Sequence, residues 1–353
     1  MIWLLAAIAF SIWCYLATDM ENAFTTELPS DLEVYLLGGE KVAHHQPLYS
    51  GDLLPGLPFT YPPFAGVIFS WFEASEALGV AWKIASLVVL VWVVYVSSSS
   101  KQPVLLLAVF FAVCTEPIHG TLYFGQINIF LMGLVCLDFL PRNRLPGIGT
   151  GLAAGLKLTP AYFLLLFAVQ RRWGAMFVAA FTFLCTVALG FSEVTDARRF
   201  WTESIFDSAR VGTDDNPGAQ ALRQALYRLG IDSTPLWLAA CAFVTVLVAY
   251  AAHIAYRRSS VPLALAFVGM GSCLVSPFSW FHHWVWIVPF GVWVYKELGA
   301  LPFLLLMLPY AAVNVSDGVF VLPDALFTLV PVGFMLWYVW KYVARSSVQR
   351  VTS

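Results

Sequence analysis

The sequence predicts an all-α integral membrane protein of many helical spans, and three observations carry that prediction. Of its 353 residues, 60% are hydrophobic and only 11% are charged, against roughly 25% charged in a water-soluble domain. The apolar residues gather in runs of about 15 to 22, the length that crosses roughly 30 Å of hydrocarbon. The 14 tryptophans and 14 tyrosines suit belts at the two membrane interfaces as well as packing between helices. A lipid bilayer is the expected partner and nucleic acid is not, although the net charge of −2 by itself does not bear on nucleic acid.

Candidate spans fall at 1–17, 61–78, 81–97, 103–114, 127–140, 147–168, 173–191, 235–256, 261–275, 280–295, 300–313 and 325–343. That makes about twelve in one transmembrane domain covering 1–353, several of them shorter than the roughly 20 residues of a full crossing. The first run, Ile2–Ala17, has no basic flank and no small-x-small cleavage site before Thr18, so it reads as a retained span. Two hydrophilic stretches are long, Thr18–Thr60 and Ser192–Thr234. No internal repeat is visible. The six cysteines lie in or beside apolar runs without a CxxC pair, as small buried hydrophobes do.

Basic residues orient such a chain, because cytoplasmic loops are enriched in Lys and Arg. Arg171/Arg172, Arg257/Arg258, Lys296 and Lys341/Arg345/Arg350 mark the inner side. Alternation then puts both long loops, Ser276–His283 and Asn314–Asp324 outside. The first loop agrees, carrying Asp19, Glu21, Glu27, Asp31, Glu33, Glu40 and Asp52 against Lys41 alone. Lys101, Arg142 and Arg144 disagree. A re-entrant hairpin at 147–168, turning back at Lys157–Pro160, is one way to bring Arg142 and Arg144 inside.

In the first loop, Ser30-Asp31-Leu32-Glu33 fits a capping box with Ser30 at the N-cap. The helix it opens, about Asp31 to Ala43, carries Leu32, Tyr35 and Leu36 on one face and suits a helix lying along the membrane surface. An acidic first turn is favoured by the helix dipole alone, which is the structural account of Asp31. His44-His45 follow, then Tyr61-Pro62-Pro63-Phe64. Prolines there are well tolerated, because the first N–H groups of a helix lack helical partners.

Ionisable groups at membrane depth are costly and point to function. Lys157 sits in Gly155-Leu156-Lys157-Leu158-Thr159-Pro160, where it either caps carbonyls freed by Pro160 or meets a lipid phosphate. Glu116, His119, Gln126 and Asn128 cluster where two spans meet, and the two amides are equally able to join helices by hydrogen bonds. His282 and His283 follow Ser276-Pro277-Phe278-Ser279-Trp280-Phe281. Adjacent helical residues point about 100° apart, so the pair is a poor metal site and a better anion donor or interfacial anchor. In the second loop, Asp214-Asp215-Asn216-Pro217-Gly218 reads as a turn before a basic amphipathic stretch containing Arg223.

Taken in order, Asp31-Leu32-Glu33-Val34-Tyr35, Tyr61-Pro62-Pro63-Phe64, Gly125-Gln126-Ile127-Asn128, Gly155 to Pro160, Asn216 to Arg223 and Ser276 to His283 resemble glycosyltransferase family 87. This family comprises polyprenol-phosphate-mannose-dependent α-(1→2)-mannosyltransferases. The chain departs from the family's usual Asn-Gln-Ser type of second-loop sequence, reading Asn-Pro-Gly-Ala-Gln instead, which bears on the acceptor. The resemblance implies a GT-C-type fold in the plasma membrane, with an active site on the extracytoplasmic face and Asp31 as the catalytic base. The implied partners are a polyprenyl-phosphate-mannose donor and a glycolipid acceptor, either a phosphatidylinositol mannoside or lipomannan.

Leaving-group charge on a lipid phosphate calls for fixed cations or donors. His282, His283, Arg223 and Lys157 are the candidates. Glu33, Tyr35, His44, His45, Tyr61, Gln126, Asn128 and Asn216 are candidate contacts to either substrate. A monophosphate leaving group needs no divalent ion when such residues are present, so neither metal nor cofactor is expected. Two other readings stay open: a lipid-linked arabinofuranosyltransferase, and a transporter or lipid flippase, which often shows internal repeats and midplane binding groups.

Overall fold

The computed structural model describes residues 1–17, 23–99, 101–140, 146–311 and 326–351. Asp19, Glu21, Arg142, Arg144, the Asn314–Asp324 loop and the side chains of Arg345 and Arg350 lie outside the described residues.

Helices dominate. Among the described residues, those long and apolar enough to cross a membrane are α4 (Glu76–Ser97), α10 (Trp173–Glu193), α13 (Thr234–Arg257) and the first part of α17 (Leu326–Val351). A fifth crossing exists if α6 (Glu116–Phe124) and α7 (Asn128–Phe139), bent by 116°, count as one. Shorter apolar helices fill the bundle: α1 (Ile2–Ala17), α5 (Val104–Cys114), α14 (Val261–Val275), α15 (Ile287–Leu298) and α16 (Ala300–Met307), while α11 (Ala197–Thr202) and α12 (Leu222–Arg228) belong to the second long loop. The core centres on α14, in which every residue from Leu263 to Leu274 is buried.

Three expected spans come out differently. The run at 61–78 forms only α3 (Pro63–Phe69), and α4 starts at Glu76 rather than 81. Ser75 causes that early start, its hydroxyl accepting from Leu78 N–H at 3.2 Å as an N-cap. The run at 280–295 begins in a 3₁₀ turn, Phe281–His283, and becomes α15 only at Ile287.

The run at 147–168 is a hairpin, as one of the two topologies requires. It consists of α8 (Ile148–Leu156), a break at Lys157, and a return through a 3₁₀ turn (Thr159–Phe163) into α9 (Leu164–Val169). Pro160 offers no N–H to continue α8, so the chain reverses there. Along α8, Gly147, Gly151 and Gly155 lie against Ala175, Ala179 and Thr186 of α10, close enough that a Cβ on any of the three would come within 3.0 Å. Both helices therefore run the same way, and Lys157–Gln170 must travel back between them. The two ends of the hairpin meet at Asp138. Its carboxylate accepts from Thr150 N–H (2.6 Å), capping α8, while its carbonyl accepts from Arg172 Nη2 (3.0 Å). The Arg172 guanidinium lies over the Phe139 and Phe167 rings.

This clasp gives a stability prediction. Asp138→Ala leaves the buried Thr150 N–H unpaired, which typically costs about 1–3 kcal/mol. The thermal unfolding midpoint of the detergent-purified protein should fall, and less in Asp138→Asn; an unchanged midpoint would contradict the clasp.

The first loop is built around α2 (Ser30–Ala43) and a small hairpin of β1 (Asp52–Leu54) and β2 (Leu57–Pro58). The expected capping box does not form. Ser30 is already helical, the N-cap is Pro29, and no side chain caps the helix. Pro29 sets the entry with its own φ of −67°, and its ring is wedged against Gly125, between α6 and α7. Leu32, Tyr35 and Leu36 do share a face, but that face is covered by protein rather than lipid. Gly39 approaches the backbone of Phe69 in α3 too closely for any Cβ.

Candidate active site

A cavity of about 720 Å³ opens beside the start of α2 and is lined by Asp31, Tyr35, Tyr61, Gln126, Lys157, Arg210, His282 and His283 among others. Six separate parts of the chain deliver these groups, Tyr61 coming from just before α3 and Arg210 from the second long loop. Asp31 comes from the first turn of α2, and Gln126 from the bend between α6 and α7. That bend requires Gly125, whose φ is +68°, a conformation that a side chain disfavours. Lys157 comes from the hairpin tip, and the two histidines from the 3₁₀ turn before α15.

The polar groups form one chain of hydrogen bonds whose direction follows from donor chemistry. Gln126 Nε2 donates to Asp31 Oδ2. Its Oε1 must then accept, and it does so from the Tyr61 hydroxyl at 3.0 Å and from Asn128 Nδ2 at 3.4 Å. With its proton committed, Tyr61 accepts from the Tyr35 hydroxyl at 2.7 Å. Asn128 Nδ2 also donates to His282 O (2.9 Å), so Asn128 Oδ1 is left to accept from Lys157 Nζ (3.0 Å). Lys157 Nζ also reaches His283 Nε2 at 3.0 Å and lies 5.2 Å from the centre of the Tyr61 ring.

Two consequences bear on chemistry. Among the described residues, Gln126 is the sole hydrogen-bond partner of the Asp31 carboxylate, which retains unused acceptor capacity at the cavity wall. Burial pushes this carboxyl above its ordinary value, opposed by the Gln126 hydrogen bond and by the positive charge of Lys157. With Lys157 as an ammonium, Nε2 of His283 accepts and Nδ1 carries the proton. That Nδ1 is buried without a partner, as are both ring nitrogens of His282. The cavity thus holds a carboxylate able to take a proton and a cluster of unengaged donors able to meet an anion.

Other expected site residues lie elsewhere. Arg223 pairs with Asp214 at 3.1 Å and stacks on Trp237, away from the cavity; that carboxylate already satisfies the charge expected to meet phosphate. Asn216 caps its own turn, accepting from Gly218 N–H at 2.9 Å. His44 and His45 are exposed beyond the end of α2, with His44 Nδ1 held at Glu40 O. Glu33 is half-buried two residues past Asp31 and does not line the cavity. No three His, Cys, Asp or Glu side chains converge on a metal position among the described residues.

Sequence reasoning missed Arg210 and Asp196. Arg210 is a single basic residue in a polar loop, with no periodic signal to mark it. Asp196 accepts from Leu48 N–H and Tyr49 N–H, each at 2.8 Å, and so ties the first loop to the end of α10. Tyr49 in turn donates to Tyr61 O at 2.8 Å, which carries that anchor to the cavity. Only the fold brings residues so distant in sequence together.

Residues 59–277, more than half of the chain, match the sequence model of Glycosyltransferase family 87. The chain belongs to glycosyltransferase family 87. It is 34% identical over 300 residues to a polyprenol-phosphate-mannose-dependent α-(1→2)-phosphatidylinositol mannoside mannosyltransferase of Mycolicibacterium smegmatis, covering 73% of this chain and 68% of the relative. A polyprenol-phosphate-mannose-dependent α-(1→2)-phosphatidylinositol pentamannoside mannosyltransferase of the same organism is 33% identical over 311 residues, covering 83% and 74%. An α-(1→3)-arabinofuranosyltransferase of Mycobacterium tuberculosis is 26% identical over 276 residues, covering 75% and 59%. No solved structure matches the chain. As a member of family 87 the protein is a membrane glycosyltransferase, which sets aside the transporter and flippase readings.

Proposed function

We propose that this family 87 enzyme transfers a mannosyl residue from polyprenyl-phosphate mannose to a mannoside glycolipid, a phosphatidylinositol mannoside or lipomannan, with Asp31 as general base. The observation that carries the proposal is one cavity holding the Asp31 carboxylate together with Lys157 and the unengaged nitrogens of His282 and His283. A β-linked donor and an α-linked product require inversion, hence a single in-line displacement. The acceptor oxygen bonds to the anomeric carbon as its proton passes to Asp31. The bond from that carbon to the phosphate oxygen breaks, and its electron pair stays on the polyprenyl phosphate. Lys157 and the histidines stabilise that charge with donors already in place.

In this reading the chain is a GT-C-type transferase of the plasma membrane working at the extracytoplasmic face. Support comes from α10, whose 21 residues rise about 1.5 Å each. It starts beside the basic pair Arg171/Arg172 and ends near Asp196, the anchor of the first loop. By the preference of basic residues for the cytoplasm, the cavity end faces out.

The test is incubation of the purified enzyme with radiolabelled polyprenyl-phosphate mannose and phosphatidylinositol mannosides. Labelled, α-linked glycolipid is expected, unaffected by EDTA. Transfer from a lipid-linked arabinose in place of mannose would favour the arabinofuranosyl reading. Loss of turnover to EDTA with recovery on Mg²⁺ would overturn the metal-free displacement.

A further inference from the structure

Arg210 has no part in the displacement described above, and its side chain makes neither a salt bridge nor a hydrogen bond among the described residues. It lies in the second long loop, at the end of a 3₁₀ turn (Ser208–Arg210) capped by Asp207, whose Oδ1 accepts from Ala209 N–H at 3.2 Å. The side chain lines the cavity that holds Asp31, Lys157 and the histidines. Its Nε and Nη2 atoms are buried without a hydrogen-bond partner. Buried polar groups are nearly always paired, and an unpaired guanidinium taken from water is costly. The loop's other arginines with described contacts are engaged: Arg199 pairs with Glu203, Arg223 with Asp214, and Arg228 bonds the carbonyls of Asn216 and Ala219. Arg210 carries a fork of N–H donors that matches phosphate oxygens two at a time.

We propose that Arg210 binds the lipid-linked phosphate anion of one of the substrates in this cavity. The assignment rests on the transferase reading given above. Two sources share the chemistry: the phosphate of the polyprenyl donor, and the phosphodiester of an inositol-lipid acceptor. Gly212, two residues on, abuts Phe278 and Trp280 beside the two histidines, and a Cβ there would come within 3.0 Å of both rings. That contact fixes the loop against the wall bearing the anion donors. The Arg210 side chain makes no hydrogen bond to the protein among the described residues, so replacing it removes no internal bond.

The test measures binding without turnover, using polyprenyl phosphate as the probe and the Asp31→Asn enzyme as background. Adding Arg210→Gln should weaken binding by about tenfold or more, the usual effect of losing a charge-assisted contact, with Arg210→Lys intermediate. If binding is unchanged, a second titration uses a phosphatidylinositol mannoside against an alkyl mannoside lacking the phosphodiester. A tenfold loss confined to the phosphodiester lipid assigns Arg210 to the acceptor. Equal affinities for all probes in Arg210→Gln and its parent would overturn the proposal. Failure of the parent itself to bind polyprenyl phosphate would instead count against the donor reading, and the acceptor titration would still decide for or against Arg210. An unshifted unfolding midpoint in Arg210→Gln is the control for folding.

Discussion

Asp31→Asn is expected to lower transfer by at least about a hundredfold while leaving folding and polyprenyl-phosphate binding intact. An acceptor hydroxyl is a weak nucleophile, and a positioned base is commonly worth 10²–10⁴-fold. Asparagine keeps the size of the side chain and an oxygen for Gln126 Nε2, so the hydrogen-bond chain to Tyr61 and Asn128 persists. What disappears is the ability to accept a proton. Near-normal turnover would move the base elsewhere, with half-buried Glu33 the next candidate. Asp31 must also be ionised to act, and burial raises its pKa above that of an ordinary carboxyl. The acid limb of kcat/KM should accordingly lie above the ordinary carboxylate range, with activity rising as pH increases through it. Removing the Lys157 charge should shift this limb further upward, since that charge favours the ionised form.

Lys157→Met is expected to have the second largest effect, again about a hundredfold on transfer. Losing one preorganised donor to a developing oxyanion typically costs about 10²–10³ in rate. The substitution preserves the stem length that threads the hairpin tip, but leaves Asn128 Oδ1 and His283 Nε2 without their common donor. A purely structural lysine would affect stability and KM for both substrates alike. The leaving-group role predicts a fall in kcat and weaker inhibition by polyprenyl phosphate, with Lys157→Arg recovering part of each. Full activity in Lys157→Met would remove this residue from the phosphate site.

Much of this site was legible in the sequence because its members are expensive. Gln126, Asn128, Lys157 and the histidine pair are polar groups beside or within apolar runs, where lone occupancy is unfavourable, whereas Asp31, in the polar first loop, was marked out by the family resemblance. Tyr61 read as the start of a span and as a candidate substrate contact, and its hydroxyl proves central to the buried network. Segment length misled at 61–78. Hydropathy cannot see that Phe72–Ser75 leaves helical geometry, or that Ser75 caps a new helix. Arg223 attracted attention through its amphipathic setting, but Asp214, nine residues earlier, claims it. The hairpin was visible as a charge imbalance, and its direction emerged only from the parallel course of α8 and α10.

The seam between α8 and α10 has a consequence for where a prenyl chain can go. Three glycines, one per turn, bring the two backbones so near that not even a methyl group fits between them. A hydrocarbon tail therefore has no gate on that flank. In the proposed reaction a carrier lipid would instead enter along the apolar wall that Leu158, Tyr162, Val275 and Phe278 give the cavity, headgroup first, and withdraw there once unloaded.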